Sequence, residues 1–592
     1  MKKRGIVMKS GEMAELINVA LGNEKADLVI TNGTLLNVYT GELLDNYSVA
    51  VKGERIAYTG KDIQRTIGPE TIVIDAAGKT IVPGFIDSHT HLCFCTVDEF
   101  LRYSIRGGTT TIVAEVLETA FALGFQGIIE FLESCKDQLA KVFSVVPSMA
   151  SISPGIRARA INKEQLRELL KRDDVLGLGE TYWLSVVDQD ERLLELFEET
   201  LKAGKKITGH SAGAKGHRLA AYAACGVCSC HEPITAEEVV ERLRLGMFVL
   251  AREGDVRKDL EAIAKIKDMN INLSQFVLAS DGTSIKQVIE EGYMDVILRK
   301  AIRLGFDPIS AIQMVTINPA RYLNIDDRVG GIAPGKMADI VIIPNLQEIK
   351  AEYVISNGQV VAKNGELVVQ PKKYSFPEWT RHSIHMTKTF TPDDFQINVP
   401  GNTIDSVEVR LMEQVSELVT QEARLNVHVS QGKIIVDTEQ DLLKAVAIDF
   451  TATEGKHFVG LIKGFKMKKG AIASSAAWDL ANIVAVGVND EDLALAVNRI
   501  VQMQGGAVVC SDGKVLAEFS LPIGGILTDA PIEDLLQKTE EFQNEAAGLG
   551  SPFPHTHLTL VTLTTPAIPF FRICEEGYVD IRTNQLLGLI IS

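Results

Sequence analysis

Two histidines, His89 and His91, close the short apolar run Ile81-Val-Pro-Gly-Phe-Ile-Asp-Ser-His-Thr-His. On a strand, side chains two residues apart leave the same face. Two imidazoles on one face of a strand end can bind one metal ion. Taken alone, the pair reads equally well as ordinary polar residues at a loop edge.

The elements that would have to position them change that balance. From Ile81 onward, strand-like runs end near His91, Ala114, Ser148, Glu180, His210, His231, Glu253 and Asp281. Helical patterns lie between and after them at 98–106, 120–139, 163–171, 191–203, 216–224, 236–245, 257–269 and 284–304. Eight strand–helix units predict a (β/α)8 barrel. A doubly wound open sheet would instead carry a glycine-rich phosphate loop after an early strand, and none is found. Chemistry in such a barrel sits at the C-terminal strand ends. Those ends collect His89, His91, Glu180, His210, His231 and Asp281. Imidazole nitrogen and carboxylate oxygen suit divalent metals. Six ligands exceed what one open ion needs, so the expectation is two ions bridged by a carboxylate.

Around the barrel, 28–36, 47–51, 55–58 and 71–75 read as short strands of a small antiparallel sheet, with turns at Asn32-Gly33 and Gly53-Glu54. Val354-Ile-Ser-Asn-Gly-Gln-Val-Val echoes the first of them. Residues 332–370 are therefore expected to complete that sheet. The predicted fold is α/β: a TIM-like barrel (81–331) inserted in a small β-sandwich (1–80, with an N-terminal helix, and 332–375), followed by an α+β region (376–592). Pro371 to Trp379 reads as a linker, 491–503 as an amphipathic helix, and 505–518 as a hairpin.

Composition bounds the function classes. A chain of 592 residues suggests roughly three or four domains. A formal charge of -17 argues against nucleic acid or an anionic membrane as the main partner. No apolar run reaches the ~18 residues of a membrane span. Met13 to Leu21 is amphipathic and interrupted, a surface helix rather than a signal peptide. The eight cysteines (93, 95, 135, 225, 228, 230, 510 and 574) are sparse and clustered, which favours a reducing cytoplasm. Cys225-Gly-Val-Cys-Ser-Cys-His231 resembles half a zinc site but lacks a partner pair, so buried strand thiols are expected. His555-Thr-His557 repeats the opening spacing in a proline-rich segment and reads as structural. The sequence leaves homo-oligomerisation open.

Pro83-Gly-Phe-Ile-Asp-Ser-His-Thr-His resembles the strand-one motif of the amidohydrolase superfamily, as do the later histidines and the aspartate after strand eight. The likeness narrows through Gly179-Glu-Thr, Gly209-His-Ser-Ala-Gly, Cys230-His-Glu-Pro-Ile-Thr-Ala-Glu-Glu, Leu243-Arg-Leu-Gly-Met, Ala251-Arg-Glu-Gly and Ala311-Ile-Gln-Met-Val-Thr-Ile-Asn-Pro-Ala-Arg-Tyr. Gly464-Phe-Lys-Met-Lys-Lys-Gly-Ala-Ile-Ala-Ser-Ser and Val488-Asn-Asp-Glu-Asp extend it into the tail. These segments are similar to the bacterial and archaeal adenine deaminases, over essentially the whole chain. Many superfamily members bridge their metals with a modified lysine after strand four. Here Glu180 stands there, as in adenine deaminases.

The resemblance implies hydrolytic deamination of adenine at a pair of divalent ions, manganese or iron, with zinc also acceptable to such ligands. Hydroxide would attack C6 and ammonia would leave. Asp281 would bind metal and move the proton, and His231 would ligate and polarise. Glu232 and Glu253 are candidate proton shuttles, although Glu232 also suits a helix N-terminus. Arg252 and Ser280 are candidate substrate contacts, with pairing to Glu253 the alternative for Arg252.

Three departures alter the pocket. The family's Asp-Asp-Arg-His after strand eight is here Asp281-Gly-Thr-Ser, which puts Gly282 and Thr283 in place of larger polar groups. Its His-Asp-Ser-His is here Trp478-Asp-Leu-Ala481, and its Glu-Ser-Ser is Cys93-Phe-Cys95. Lost polar partners change selectivity by orders of magnitude. Another aminopurine, heterocycle or cyclic amide thus stays open as the substrate, as does an idle homologue kept for binding.

Overall fold

A computed structural model describes residues 8–591 apart from 93, 150, 256, 400–404 and 569. Cys93 lies outside the described residues.

The barrel strands are β1 (Phe85–His91), β2 (Thr109–Glu115), β3 (Lys141–Val146), β4 (Val175–Tyr182), β5 (Lys206–His210), β6 (Ser229–Cys230), β7 (Phe248–Arg252) and β8 (Phe276–Ala279). All pair in parallel, in the order β5-β4-β3-β2-β1 and β6-β7-β8. Two hydrogen bonds close the ring: Cys228 N–H donates to Ile207 C=O at 3.0 Å, and Asp281 N–H donates to His89 C=O at 3.0 Å. Ile86, Val113, Val145, Leu176, Leu250 and Val277 come from six different strands and meet in one buried apolar cluster. A barrel interior filled by branched side chains is a packed core and not a pore.

The helices fall where the apolar period predicted them, with three exceptions. The pattern 120–139 is helical over Leu117–Ser134 and kinked at Gly124, whose φ is +65°. Residues 257–269 form only Leu260–Ile263 and a 3-10 turn, Ala264–Asp268. The long pattern 284–304 is two helices, Ile285–Glu290 and Met294–Arg303, separated at Gly292, whose φ is +114°. Apolar periodicity registers which face is buried, not where the backbone reverses.

Residues 332–370 do join the N-terminal strands, in one continuous sheet of nine: Thr80–Pro83 pairs antiparallel with Ile340–Ile343. The sheet is mixed and not purely antiparallel, because Ile72–Asp75 and Thr80–Pro83 run parallel to Leu28–Asn37. The helix Ser10–Leu21 buries Leu16 and Val19 against it. The linker segment is docked: Tyr374 donates to Glu130 at 2.6 Å, and Phe376 is buried.

The C-terminal region holds a second nine-stranded sheet, with Asp490–Met503 and Ile532–Gly548 as its long helices and the hairpin at Gly506–Ser511 and Lys514–Ser520. Its short strand Leu527–Thr528 pairs in parallel with Phe94–Cys95, just beyond β1. The same region therefore reaches the barrel's C-terminal rim. No helix among the described residues is long and apolar enough to cross a membrane.

Candidate metal centre

Strand one slips in register between Asp87 and Thr90, a bulge that bends the strand end. Beyond it, His91 lies opposite Glu115. On β4, Gly179 precedes Glu180, and a Cβ at Gly179 would stand 2.2 Å from Glu115 Oε2. The missing side chain lets the Glu115 carboxylate accept the Glu180 N–H at 3.2 Å. Asp281 adopts a left-handed φ of +60°, a strained backbone often found at functional sites. The barrel seam holds it there, together with Asp87, which accepts N–H groups from His89 (3.2 Å) and Ser280 (3.3 Å) and the Tyr293 hydroxyl (2.5 Å).

The six strand-end residues converge. One ligating atom from each of His89, His91, Glu180 and Asp281 lies within 4.8 Å of the others, and so do those of Glu180, His210 and His231. Glu180 belongs to both groups. Its Oε1 is 3.2 Å from His89 Nε2, 3.5 Å from His91 Nε2, 3.7 Å from His210 Nδ1 and 3.0 Å from His231 Nε2. Asp281 Oδ1 is 3.0 Å from His89 Nε2. A third group joins His231, Glu232 and Asp281.

Outer hydrogen bonds orient these side chains. A carbonyl oxygen can only accept, so His210 Nε2–H donates to Ala567 C=O at 3.0 Å, which turns Nδ1 inward toward Glu180. His91 Nδ1–H donates to Glu118 Oε1 at 2.8 Å, which leaves Nε2 toward Glu180. Such partners fix tautomer and raise ligand basicity in metal sites. The donor set fits divalent ions: borderline-soft nitrogen and hard oxygen converge in a buried space.

Burial works against the charged form of His89, yet Asp281 and Glu180 outweigh it and hold its pKa up at about 10. Burial likewise opposes His210, and Glu232 and Glu180 raise it to about 9. Burial and the field of His89 lower His231 to about 4. Glu232 falls to about 2, because Arg252, His210 and His231 overcome its burial. Burial beside Glu180 pushes Glu115 up to about 8.

Arg252 is fully buried and joins three carboxylates: Glu232, Asp259 at 2.8 Å and Asp281 at 3.2 Å. Its partner is thus not Glu253. Glu253 and Ser280 correct the sequence expectation. Glu253 pairs with Lys300 at 2.7 Å and accepts the Leu260 N–H, outside the cavities at the centre. Ser280 is turned behind the rim, its hydroxyl bonded to Thr90 at 2.8 Å. Both follow a strand end by sequence, but each side chain points away from the ligand cluster. Glu232 is buried among charges and is no simple helix cap, since the next helix starts at Ala236 with Thr235 as its cap. Cys228 and Cys230 are separately bonded, to Ile207 C=O and Ser211.

Sequence reasoning missed Glu115, Glu118 and Ala567. The first two lie at and just after the end of β2, where the strand-end rule would have found them. Ala567 carries no signal, because its backbone is what acts.

Residues 80–368 match the model of the amidohydrolase family, and residues 417–585 match the adenine deaminase C-terminal domain. An adenine deaminase of Clostridium botulinum is 36% identical over 585 residues, spanning 98% of this chain and 97% of that one. The chain belongs to the adenine deaminase family. A second adenine deaminase, from Staphylothermus marinus, is 34% identical over 595 residues, 98% of each chain. A dihydropyrimidinase structure from Brevibacillus agri is 16% identical, covering 59% of this chain and 99% of that one with a TM-score of 0.45. The amidohydrolase region of an adenine deaminase family member implies divalent metal ions, and the two overlapping groups around Glu180 are candidates to hold them.

Proposed function

We propose that this chain hydrolyses adenine to hypoxanthine and ammonia at a centre of two divalent ions, manganese or iron, with zinc an acceptable substitute. Glu180 carries the reading: one carboxylate oxygen lies within 3.7 Å of four imidazole nitrogens, the position of a bridging ligand. His89, His91 and Asp281 would hold one ion and His210 and His231 the other, with Glu180 shared. The full-length relatives named adenine deaminase support adenine as the substrate. The substrate is a small molecule, and the compartment we assign is the cytoplasm.

When bound, the ions supply the Lewis acidity that makes a water molecule nucleophilic near neutral pH. The chain's own residues do the rest. Asp281, kept ionised by His89 and Arg252, takes a proton from the attacking water and returns it to the departing amine. Glu232, 3.4 Å from His231 Nε2, is the candidate shuttle that carries a proton to the ring nitrogen. Arg252 holds Glu232 and Asp281 in register. Water adds at C6, the bond to the exocyclic amine breaks, and the oxygen stays on the ring.

A second reading, hydrolysis of another aminopurine, heterocycle or cyclic amide, is favoured by the altered residues Gly282, Thr283, Trp478 and Ala481. Manganese-loaded protein with adenine should lose the adenine absorbance and release one ammonia per purine. Absence of turnover with adenine and every other aminopurine would defeat the first reading.

A further inference from the structure

Two cavities meet at the ligand cluster, and they differ greatly in size. The inner one, bordered by Glu180, His231, Glu232 and Asp479, encloses about 40 Å³. A water needs on the order of 10–15 Å³ by this measure, so the inner cavity holds a few solvent molecules and no bicyclic ring. The outer one encloses about 460 Å³, within the ordinary range for ligand sites of roughly 300–1,000 Å³. It lies between the segment after β8 and the C-terminal helix Ile532–Gly548. His91, Asp281 and Trp478 border both.

The outer chamber has features that match a flat heterocycle. Its walls are largely apolar, and Ile285, Trp478, Leu536 and Phe542 line it. The Trp478 indole lies nearly parallel to the His91 ring, 12° between planes and 6.1 Å between centroids, which leaves its other surfaces to the cavities. The Thr283 hydroxyl, two residues from Asp281, is buried and has no hydrogen-bond partner among the described residues. His557 is boxed by Phe94, Phe519 and Phe542. Ser474 accepts the Ala476 N–H and donates to His557 Nε2 at 2.9 Å, its only acceptor among the described residues. The His557 Nδ1–H is then a spare donor on a residue that lines the chamber. Adenine carries acceptor nitrogens around its ring edge, which suit a hydroxyl and an N–H donor.

The geometry points to the outer chamber as the binding site for the substrate's ring, an aminopurine stacked on Trp478 and held at its edge by Thr283 and His557. The inner cavity is left to water and the ions. The C-terminal region thereby builds the substrate site. This rests on the adenine reading above, and the test separates the two.

Full-length, manganese-loaded Thr283→Val and His557→Gln should keep the metal content of the parent. Each should raise KM for adenine about tenfold or more while kcat stays within about threefold, the pattern of a lost binding contact. Hypoxanthine should quench tryptophan fluorescence in the parent, in Trp183→Phe and in Trp379→Phe, but not in Trp478→Phe. Unchanged KM in the first two variants, with adenine turned over and quenching indifferent to Trp478, overturns the chamber and leaves the adenine reading standing. Turnover of a different heterocycle, with its KM raised by the same variants, keeps the chamber and removes adenine. Neither turnover nor quenching by any heterocycle overturns both.

Discussion

Arg252 shows how much electrostatic work one side chain does at this rim. Its side chain is 1% exposed, and it meets three carboxylates, two of which also face the ligand cluster. Removing one partner of a buried ion pair leaves uncompensated charge and costs about 3–5 kcal/mol. Arg252→Met is therefore expected to lower unfolding free energy by about that amount in chemical denaturation of the metal-free protein. A loss below about 1 kcal/mol would mean that the carboxylates find other counter-charges. The histidines make a second expectation at this scale. Nearby carboxylates raise His89 to about 10 and His210 to about 9, above the ordinary imidazole value of 6.5. A raised pKa means that the proton is bound at neutral pH in the metal-free protein, and an ion has to displace it. Manganese binding should then release protons and weaken as pH falls from 8 to 6. Titration calorimetry in buffers of different ionisation enthalpy measures this, and an affinity independent of pH and buffer would refute it.

At the scale of elements, the strand ends were legible because chemistry and topology coincide there. His89, His91, Glu180, His210, His231 and Asp281 each lie at, near or just past the C-terminal end of a barrel strand, so listing strand ends collects them. The same rule overreached at Glu253 and Ser280. It fixes where a residue sits along the strand but not which side its chain leaves, and β1 itself slips register between Asp87 and Thr90. The broken last helix was hidden for a related reason. The apolar period runs on across 284–304, while the backbone turns at Gly292 with φ +114°. A Cβ there would also stand 2.8 Å from Asp295 Oδ1. Gly292→Ala should cost about 1–2 kcal/mol or more in unfolding free energy. A neutral substitution would show that the segment can continue as a single helix.

Across the whole molecule, the barrel and the C-terminal region share one functional surface. The Ala567 carbonyl fixes the tautomer of His210, Trp478 lies against His91, and Asp479 accepts the Tyr182 hydroxyl at 3.1 Å. None of these long-range meetings is written in local periodicity. They depend on two sheets far apart in sequence meeting at one rim, and for that reason the sequence pointed to the clustered strand-end residues more readily than to the pocket around them. The proposed chemistry depends most on one carboxylate serving two ions. Crystals grown with manganese, measured at its absorption edge, test that directly. Two anomalous peaks about 3.5–4 Å apart are expected on either side of the Glu180 carboxylate, one beside His89 and His91 and the other beside His210 and His231. A single peak, or peaks that leave Glu180 uncoordinated, would contradict it.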